Sequence, residues 1–268
     1  MQALLTNDDG LRAPGIISLR NAIAPLFDDL MTVAPLTVQS ATSHGITFHE
    51  PLMVSRITVG EREQAFEGIA VDGRPADCSK LALTNLWPDE YGEGSHPDLV
   101  ISGMNMGANC GINVIYSGTV AAAIEAAFLG VPSIAVSLHL GRGTPDYDTA
   151  AKHAASAISR VLEHGPLARH ACININIPRT EFENDDRAIT PPLVVCPMNV
   201  HGLVDKYERR TTPTGNPYYW AAGDGLDFRE ADAGSDVERL LNGCITVTPL
   251  SYDMTDGSAL REWEERLD

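Results

Sequence analysis

The stretch Leu4-Leu5-Thr6-Asn7-Asp8-Asp9-Gly10 constrains this chain more than any other. A short apolar run stops at two adjacent carboxylates and a glycine, and Pro14 then stands where a helix begins. Strand, acidic turn and helix predict the opening of an α/β unit, whose ligands bind beyond the carboxyl ends of the strands. Two neighbouring carboxylates repel each other. A divalent cation neutralises them, and hard cations take oxygen ligands. Taken alone, Asp-Asp-Gly needs nothing beyond turn chemistry, so the rest of the chain has to decide.

Strands and helices alternate along most of the length. Residues 1–6 read as a strand. Residues 14–27 read as a helix with a stripe of Ile16, Leu19, Ile23 and Leu26, shortened or kinked by Pro25. A strand at 30–34 runs into a polar loop at 36–47. A β pair follows at 52–59 and 65–71, turning at Gly60-Glu61, then a helix at 75–86 and a turn-rich linker at 91–97. A strand at 99–102 runs into the loop Gly103-Met104-Asn105-Met106-Gly107-Ala108-Asn109-Cys110-Gly111. Helices at 120–129 and 147–162 alternate with strands at 132–138 and 172–177. This pattern predicts an α/β fold, a Rossmann-like three-layer sandwich on a mostly parallel sheet. Residues 194–219 differ in character. Their prolines, Arg209-Arg210, a turn at Thr214-Gly215-Asn216 and the run Tyr218-Tyr219-Trp220 predict a projecting β-hairpin arm. Exposed aromatics on such an arm suit an interface. A short helix at 236–241, a strand at 244–249 and a helix at 259–267 finish the chain. The expected division is a catalytic core at 1–192, an oligomerisation arm at 193–232, and a segment at 233–268 that returns to the core or is exchanged with a partner subunit.

Three polar segments thus fall at the carboxyl ends of strands. One carries Asp8 and Asp9, one Ser40, and one Asn105 and Asn109. In a parallel sheet those ends share a side. Carboxylates, a hydroxyl and amide oxygens form an all-oxygen donor set suited to Mg²⁺, Mn²⁺ or Ca²⁺ rather than to a zinc–thiolate centre. Gly103, Gly107 and Gly111 recur every four residues and not as G-x-G-x-x-G, which disfavours a dinucleotide site. Ser117-Gly118-Thr119 precedes an alanine-rich helix whose first amides can hold an anion, although an ordinary Ser/Thr cap explains the same residues. Ser43 and His44, beside Ser40, are further candidates for substrate contact, and an imidazole there can move a proton near neutral pH.

The net charge is −17, which argues against binding duplex nucleic acid through bulk electrostatics. A cation held by acids would reverse the sign locally and let so acidic a chain bind an anion. Cys78, Cys110, Cys172, Cys196 and Cys244 are odd in number and lack zinc spacing, so reduced thiols in a cytoplasmic protein are expected. No basic segment precedes the first apolar run, as a signal peptide would require, and no apolar run is long enough for a membrane span.

Several blocks together resemble the SurE family of survival-protein nucleotidases. They are Asn7-Asp8-Asp9-Gly10 through Ala13-Pro14-Gly15-Ile16, Ser102-Gly103-Met104-Asn105 through Gly107-Ala108-Asn109, and Ile115-Tyr116-Ser117-Gly118-Thr119-Val120-Ala121-Ala122-Ala123. Pro75-Ala76-Asp77-Cys78, Tyr218-Tyr219-Trp220 and Ile245-Thr246-Val247-Thr248-Pro249-Leu250 agree more weakly. The resemblance implies a metal-dependent phosphomonoesterase acting on nucleoside 5′- or 3′-monophosphates. It implies one Mg²⁺ or Mn²⁺ per subunit on Asp8, Asp9, Ser40 and Asn105, with Ca²⁺ as a substitute in a crystal. It also implies a homodimer or homotetramer built through the arm. Asp8 and Asp9 are the expected catalytic residues. Asn109, Ser117, Gly118, Thr119, Ser43 and His44 are the expected phosphate and substrate contacts. The aspartates are adjacent rather than spaced D-x-D, which favours attack by water over attack by a carboxylate. The alternative is a non-catalytic nucleotide- or metal-sensing protein on the same scaffold. Four positions depart from the family pattern: Leu36, Ala41, Gly45 and Arg74 stand where an acid, a glycine, a serine and a threonine are usual.

Overall fold

A computed structural model describes residues 1–60, 65–181, 190–202, 206–222 and 231–268. The first strand, β1 (Gln2–Thr6), lies between β2 (Asp29–Pro35) and β5 (Leu99–Met106), parallel to both. Beyond β2 come β4 (Phe66–Val71) and then β3 (Val54–Val59). Beyond β5 come β6 (Ser133–Leu138), β7 (Cys172–Ile177), β11 (Ile245–Leu250) and β8 (Leu193–Val195). In sheet order the strands from β4 to β7 run parallel, β3 runs against β4, β11 runs against β7, and β8 is parallel to β11.

Helices cover both faces. Ala3 and Leu5 point toward α1 (Pro14–Ile23) and α5 (Tyr147–Leu162) in one apolar cluster. Leu4 and Val100 point the other way, into a second cluster with Cys78 and Ala82. That second face carries α2 (Pro75–Leu81), α3 (Trp87–Tyr91) and α4 (Gly118–Phe128). Burial on both faces is why β1 reads as an unbroken apolar run rather than as an alternating one. The chain leaves β1 toward β2 on one side and reaches β5 on the other. A crevice therefore opens at the carboxyl end of β1, the switch point where open α/β sheets bind ligands.

Three details differ from the sequence reading. The expected helix 75–86 is α2, a π turn over Ala82–Leu86, and α3 reaching Tyr91. Trp87 is fully buried in the second cluster and holds the chain helical past Leu86. The strand expected at 99–102 continues to Met106. After a register shift between Ser102 and Asn105, Asn105 and Met106 pair with Ser137 and Leu138 of β6, so Asn105 ends a strand instead of lying in a loop. The short strand β8 was not foreseen, because three residues are too few to show a period. Of the expected turn Gly60-Glu61, Glu61 lies outside the described residues.

The hairpin is present. β9 (Lys206–Thr211) pairs antiparallel with β10 (Pro217–Ala222). Gly215 takes a left-handed φ of 86° in the turn. Tyr207, Tyr219 and Trp220 are exposed. No helix among the described residues is long and apolar enough to cross a membrane.

Candidate active site

The β1 turn is closed by Asn7, whose amide nitrogen donates to the Gly10 carbonyl while its amide oxygen accepts from the Gly10 N–H. Gly10 has φ +96°, a conformation glycine adopts without steric cost. The turn leaves Asp8 buried and Asp9 partly buried.

Hydrogen bonds from three other segments converge on these two residues. The Gln39 N–H donates to the Asp8 carbonyl at 2.8 Å, which draws Ser40 alongside. The Thr119 hydroxyl donates to Oδ1 of Asp8. The Met106 N–H donates to Oδ2 of Asp9 at 2.8 Å, locking the β1 turn to the end of β5. On that strand Asn105 gives its amide nitrogen to the Gly107 carbonyl at 2.7 Å, which leaves its amide oxygen. Ser40 itself is exposed.

Burial is the main reason the Asp8 carboxyl is pushed up to about 6. The Thr119 hydroxyl opposes the shift and the charge of Asp9 adds to it. Asp9 is also raised, again chiefly by burial. Among the described residues no cationic side chain forms an ion pair with either aspartate, and backbone N–H groups of Asp8 and Thr119 also lower the Asp8 carboxyl. Beneath them the register pair Thr6–Ser102 buries two hydroxyls that have no partner among the described residues. Two desolvated carboxylates, with Asn105 on the adjoining strand end and Ser40 next to the Gln39 N–H that bonds the Asp8 carbonyl, are the oxygen donors that could hold a hard divalent cation.

α4 begins directly against this group. Ser117 is its N-cap, and its Oγ accepts from the Val120 N–H at 3.1 Å. A Cβ on Gly118 would lie 2.9 Å from Cβ of Asp8 and 3.0 Å from its Oδ2. Glycine is what lets the helix start approach so closely. Ser117 is therefore the ordinary cap, and Thr119 holds the carboxylate with its side chain. Gly118 itself is buried as the first residue of the helix after its cap.

The other expected contacts are placed as follows. Asn109 is fixed by a network that the sequence did not reveal. Its N–H donates to Asn176, its amide nitrogen to Ser137, and its carbonyl accepts from Asn174 and Asn176. The alternation Asn174-Ile175-Asn176 within an apolar strand was a usable signal, since period two puts both amides on one face. The Ser43 hydroxyl donates to the Ile115 carbonyl at 2.7 Å and its N–H to that of Tyr116, pinning the 36–47 loop to the turn before α4. Ala41 and Ser43 have φ of +56° and +53°, a region that disfavours a β-carbon.

His44 meets Glu125 of α4, with Nε2 2.8 Å from Oε2, and Lys80 of α2 reaches the other oxygen at 2.6 Å. Glu125 was missed, although a lone acid in an alanine-rich helix was a signal. Burial pushes its carboxyl up, but the bonds from His44 and Lys80 outweigh this and the net direction is down. A depressed folded value means stability that is present above the ordinary carboxylate range and lost as pH falls through the folded value. Glu125→Gln is accordingly expected to cost about 1–2 kcal/mol at pH 7, discounted because both partners are partly exposed. It should also shrink the fall in Tm between pH 7 and pH 4, as read by calorimetry. An unchanged acid limb would remove this role.

A doubly wound sheet with two adjacent acids at its switch point, backed by a helix start, is the arrangement of an α/β protein that binds a ligand at the carboxyl ends of its strands. Comparison with known proteins goes one step further. Residues 3–196 match the family described as Survival protein SurE. The chain is 42% identical over 99% of its length to a protein from Rhodopirellula baltica named 5′-nucleotidase SurE, covering 98% of that protein. It is 39% identical over its full length to a protein of the same name from Heliobacterium modesticaldum, covering 92% of it. The crystal structure of the SurE protein from Aquifex aeolicus superposes with a TM-score of 0.78 at 32% identity, over all of both chains. The chain belongs to the SurE family.

Proposed function

We propose that this chain is a metal-dependent phosphomonoesterase that hydrolyses nucleoside 5′-monophosphates, and also 3′-monophosphates, to nucleoside and phosphate. The observation that carries the reading is the pair of aspartates at the carboxyl end of β1, Asp8 buried and Asp9 partly buried, with no cationic partner among the described residues. The full-length relatives named 5′-nucleotidase support it.

Asp8, Asp9, Ser40 and Asn105 would hold one Mg²⁺ or Mn²⁺ per subunit. When bound, the cation supplies Lewis-acid stabilisation of charge on the phosphoryl oxygens. The chain's own residues do the rest. Thr119 and the Met106 N–H orient the two carboxylates. The Gly118 backbone at the start of α4 holds a phosphate oxygen, assisted by the partial positive charge of the helix end. Asn109, fixed by Ser137 and Asn176, contacts a second one. Asp8, oriented by Thr119, accepts a proton from the attacking water. His44, held through Nε2 by Glu125, keeps Nδ1 for a substrate oxygen.

The hairpin within 193–232, with Tyr207, Tyr219 and Trp220 exposed, supports assembly into a homodimer or homotetramer. Five buried free thiols support a cytoplasmic setting. Burial pushes the Cys110 thiol up, which supports a packing role and not a nucleophilic one.

Purified protein with added Mn²⁺ or Mg²⁺ is expected to release phosphate from AMP or GMP and to lose that activity in EDTA. Restoring the metal should restore the rate. Tight nucleotide binding with no turnover under fresh metal would instead make it a sensing protein.

A further inference from the structure

Gly45 and Arg74 are two of the positions that depart from the family pattern, and in the fold they touch. A Cβ at residue 45 would lie 2.3 Å from Nη1 of Arg74 and 3.1 Å from both its Cδ and Cζ. The guanidinium therefore lies across Gly45, over the loop that carries Ser40 and His44. Arg74 immediately precedes Pro75, and Cγ of Pro75 is 3.0 Å from where a Gly118 Cβ would stand, the same point that lies 2.9 Å from Cβ of Asp8. The Arg74 backbone thus borders the aspartate site, and its side chain reaches from there to the loop.

The charge around Arg74 is not consumed by the fold. Asp77, the nearest acid on α2, has both oxygens occupied. Oδ1 accepts from the Thr47 N–H, and Oδ2 accepts from the Thr47 hydroxyl and the Arg74 N–H. Glu125, behind His44, is held by His44 and Lys80. Among the described residues no carboxylate forms an ion pair with the guanidinium. In a chain of net charge −17, Arg74 is an exposed arginine that borders the proposed phosphate site. A planar guanidinium suits a phosphate better than an ammonium does, because its donors can bind two oxygens at once.

We propose that Arg74, seated over Gly45, binds a second phosphate on the substrate, beyond the one that reacts at the aspartates. Resting on the phosphomonoesterase reading, this makes Arg74 a specificity residue. The second phosphate belongs either to another hydroxyl of the same nucleoside or to a phosphate chain. Its chemistry is the same in both.

The test compares wild-type, R74T, R74K and G45S proteins, each loaded with Mn²⁺. The ligands are AMP, adenosine 3′,5′-bisphosphate and inorganic tripolyphosphate. KM is measured by phosphate release and Kd by calorimetry, so the ligand preference is read whether or not turnover occurs. R74T is expected to weaken at least one ligand that carries more than one phosphate about tenfold more than it weakens AMP, the scale of one charge-assisted hydrogen bond. R74K should recover part of the preference. G45S, by displacing the guanidinium, should mimic R74T, and an R74T/G45S double variant should add nothing further. Whichever of the two multiply phosphorylated ligands responds identifies the source of the second phosphate. Equal effects on all three ligands, or none, would overturn the proposal. Absence of AMP turnover by the wild type would overturn the phosphomonoesterase reading and leave the Kd comparison to decide this one.

Discussion

Asp8→Asn is expected to lower metal-dependent phosphate release by about 10³-fold, the upper range for losing one electrostatic group at a reacting centre. The replacement is nearly isosteric, and its amide oxygen can still accept from Thr119, so the fold should survive. The sign of the stability change separates this residue from a structural one. Asp8 is raised to about 6 chiefly by burial, so in metal-free protein its ionised form opposes folding at neutral pH. Neutralising it should leave the Tm in EDTA unchanged or higher while activity collapses. Added Mn²⁺, which should raise the wild-type Tm by binding only the folded state, should do so much less in the variant. Asp9→Asn should behave similarly. Full activity in both variants would sink the site assignment.

Gly15→Ala is expected to destabilise the fold by about 3 kcal/mol, the upper range for forcing an extra methyl into a packed core. A Cβ there would lie 2.1 Å from the Met104 carbonyl oxygen and 3.2 Å from its carbon. Both are backbone, so no flexible side chain can give way. Either α1 lifts off the sheet or β5 moves. Met104 is followed by Asn105, so the second route also displaces a proposed ligand, and turnover should fall along with stability. For a chain of this size the loss corresponds to a Tm decrease of roughly 6–10 °C. Gly257→Ala is the control. Nothing lies within 4 Å of its Cβ position at the start of α7 (Gly257–Leu267), and alanine favours helix by up to about 1 kcal/mol. Thermal denaturation of the two variants side by side checks the contrast, and similar Tm values would refute it.

The architecture was legible because its signal is local. A strand buried on both faces reads as an apolar run, and a covering helix shows a stripe. The alternation of the two through residue 178 left little besides a parallel sheet. The acidic turn Asp8-Asp9 stood out for the same reason, since it follows directly where β1 stops. Misreadings arose where a distant contact overrode local preference. Trp87 extends a helix because a pocket between sheet and helices receives it. Asn105 and Met106 stay in the strand because β6 offers them partners. Glu125 binds a histidine 81 residues away, and Asn109 is held by residues 65 and 67 positions further on.

By itself the sequence determined the α/β class and the acidic turn at the end of its first strand, because these follow from periodicity and from where the periods break. Only the tertiary structure decided how those residues are used. It buried Asp8 against a helix start that glycine alone permits, left the aspartates without a cationic neighbour, turned Ser43 into a loop clasp, and laid Arg74 over Gly45. Such outcomes depend on which surfaces the folded chain presses together, and distance in space has no period along the chain.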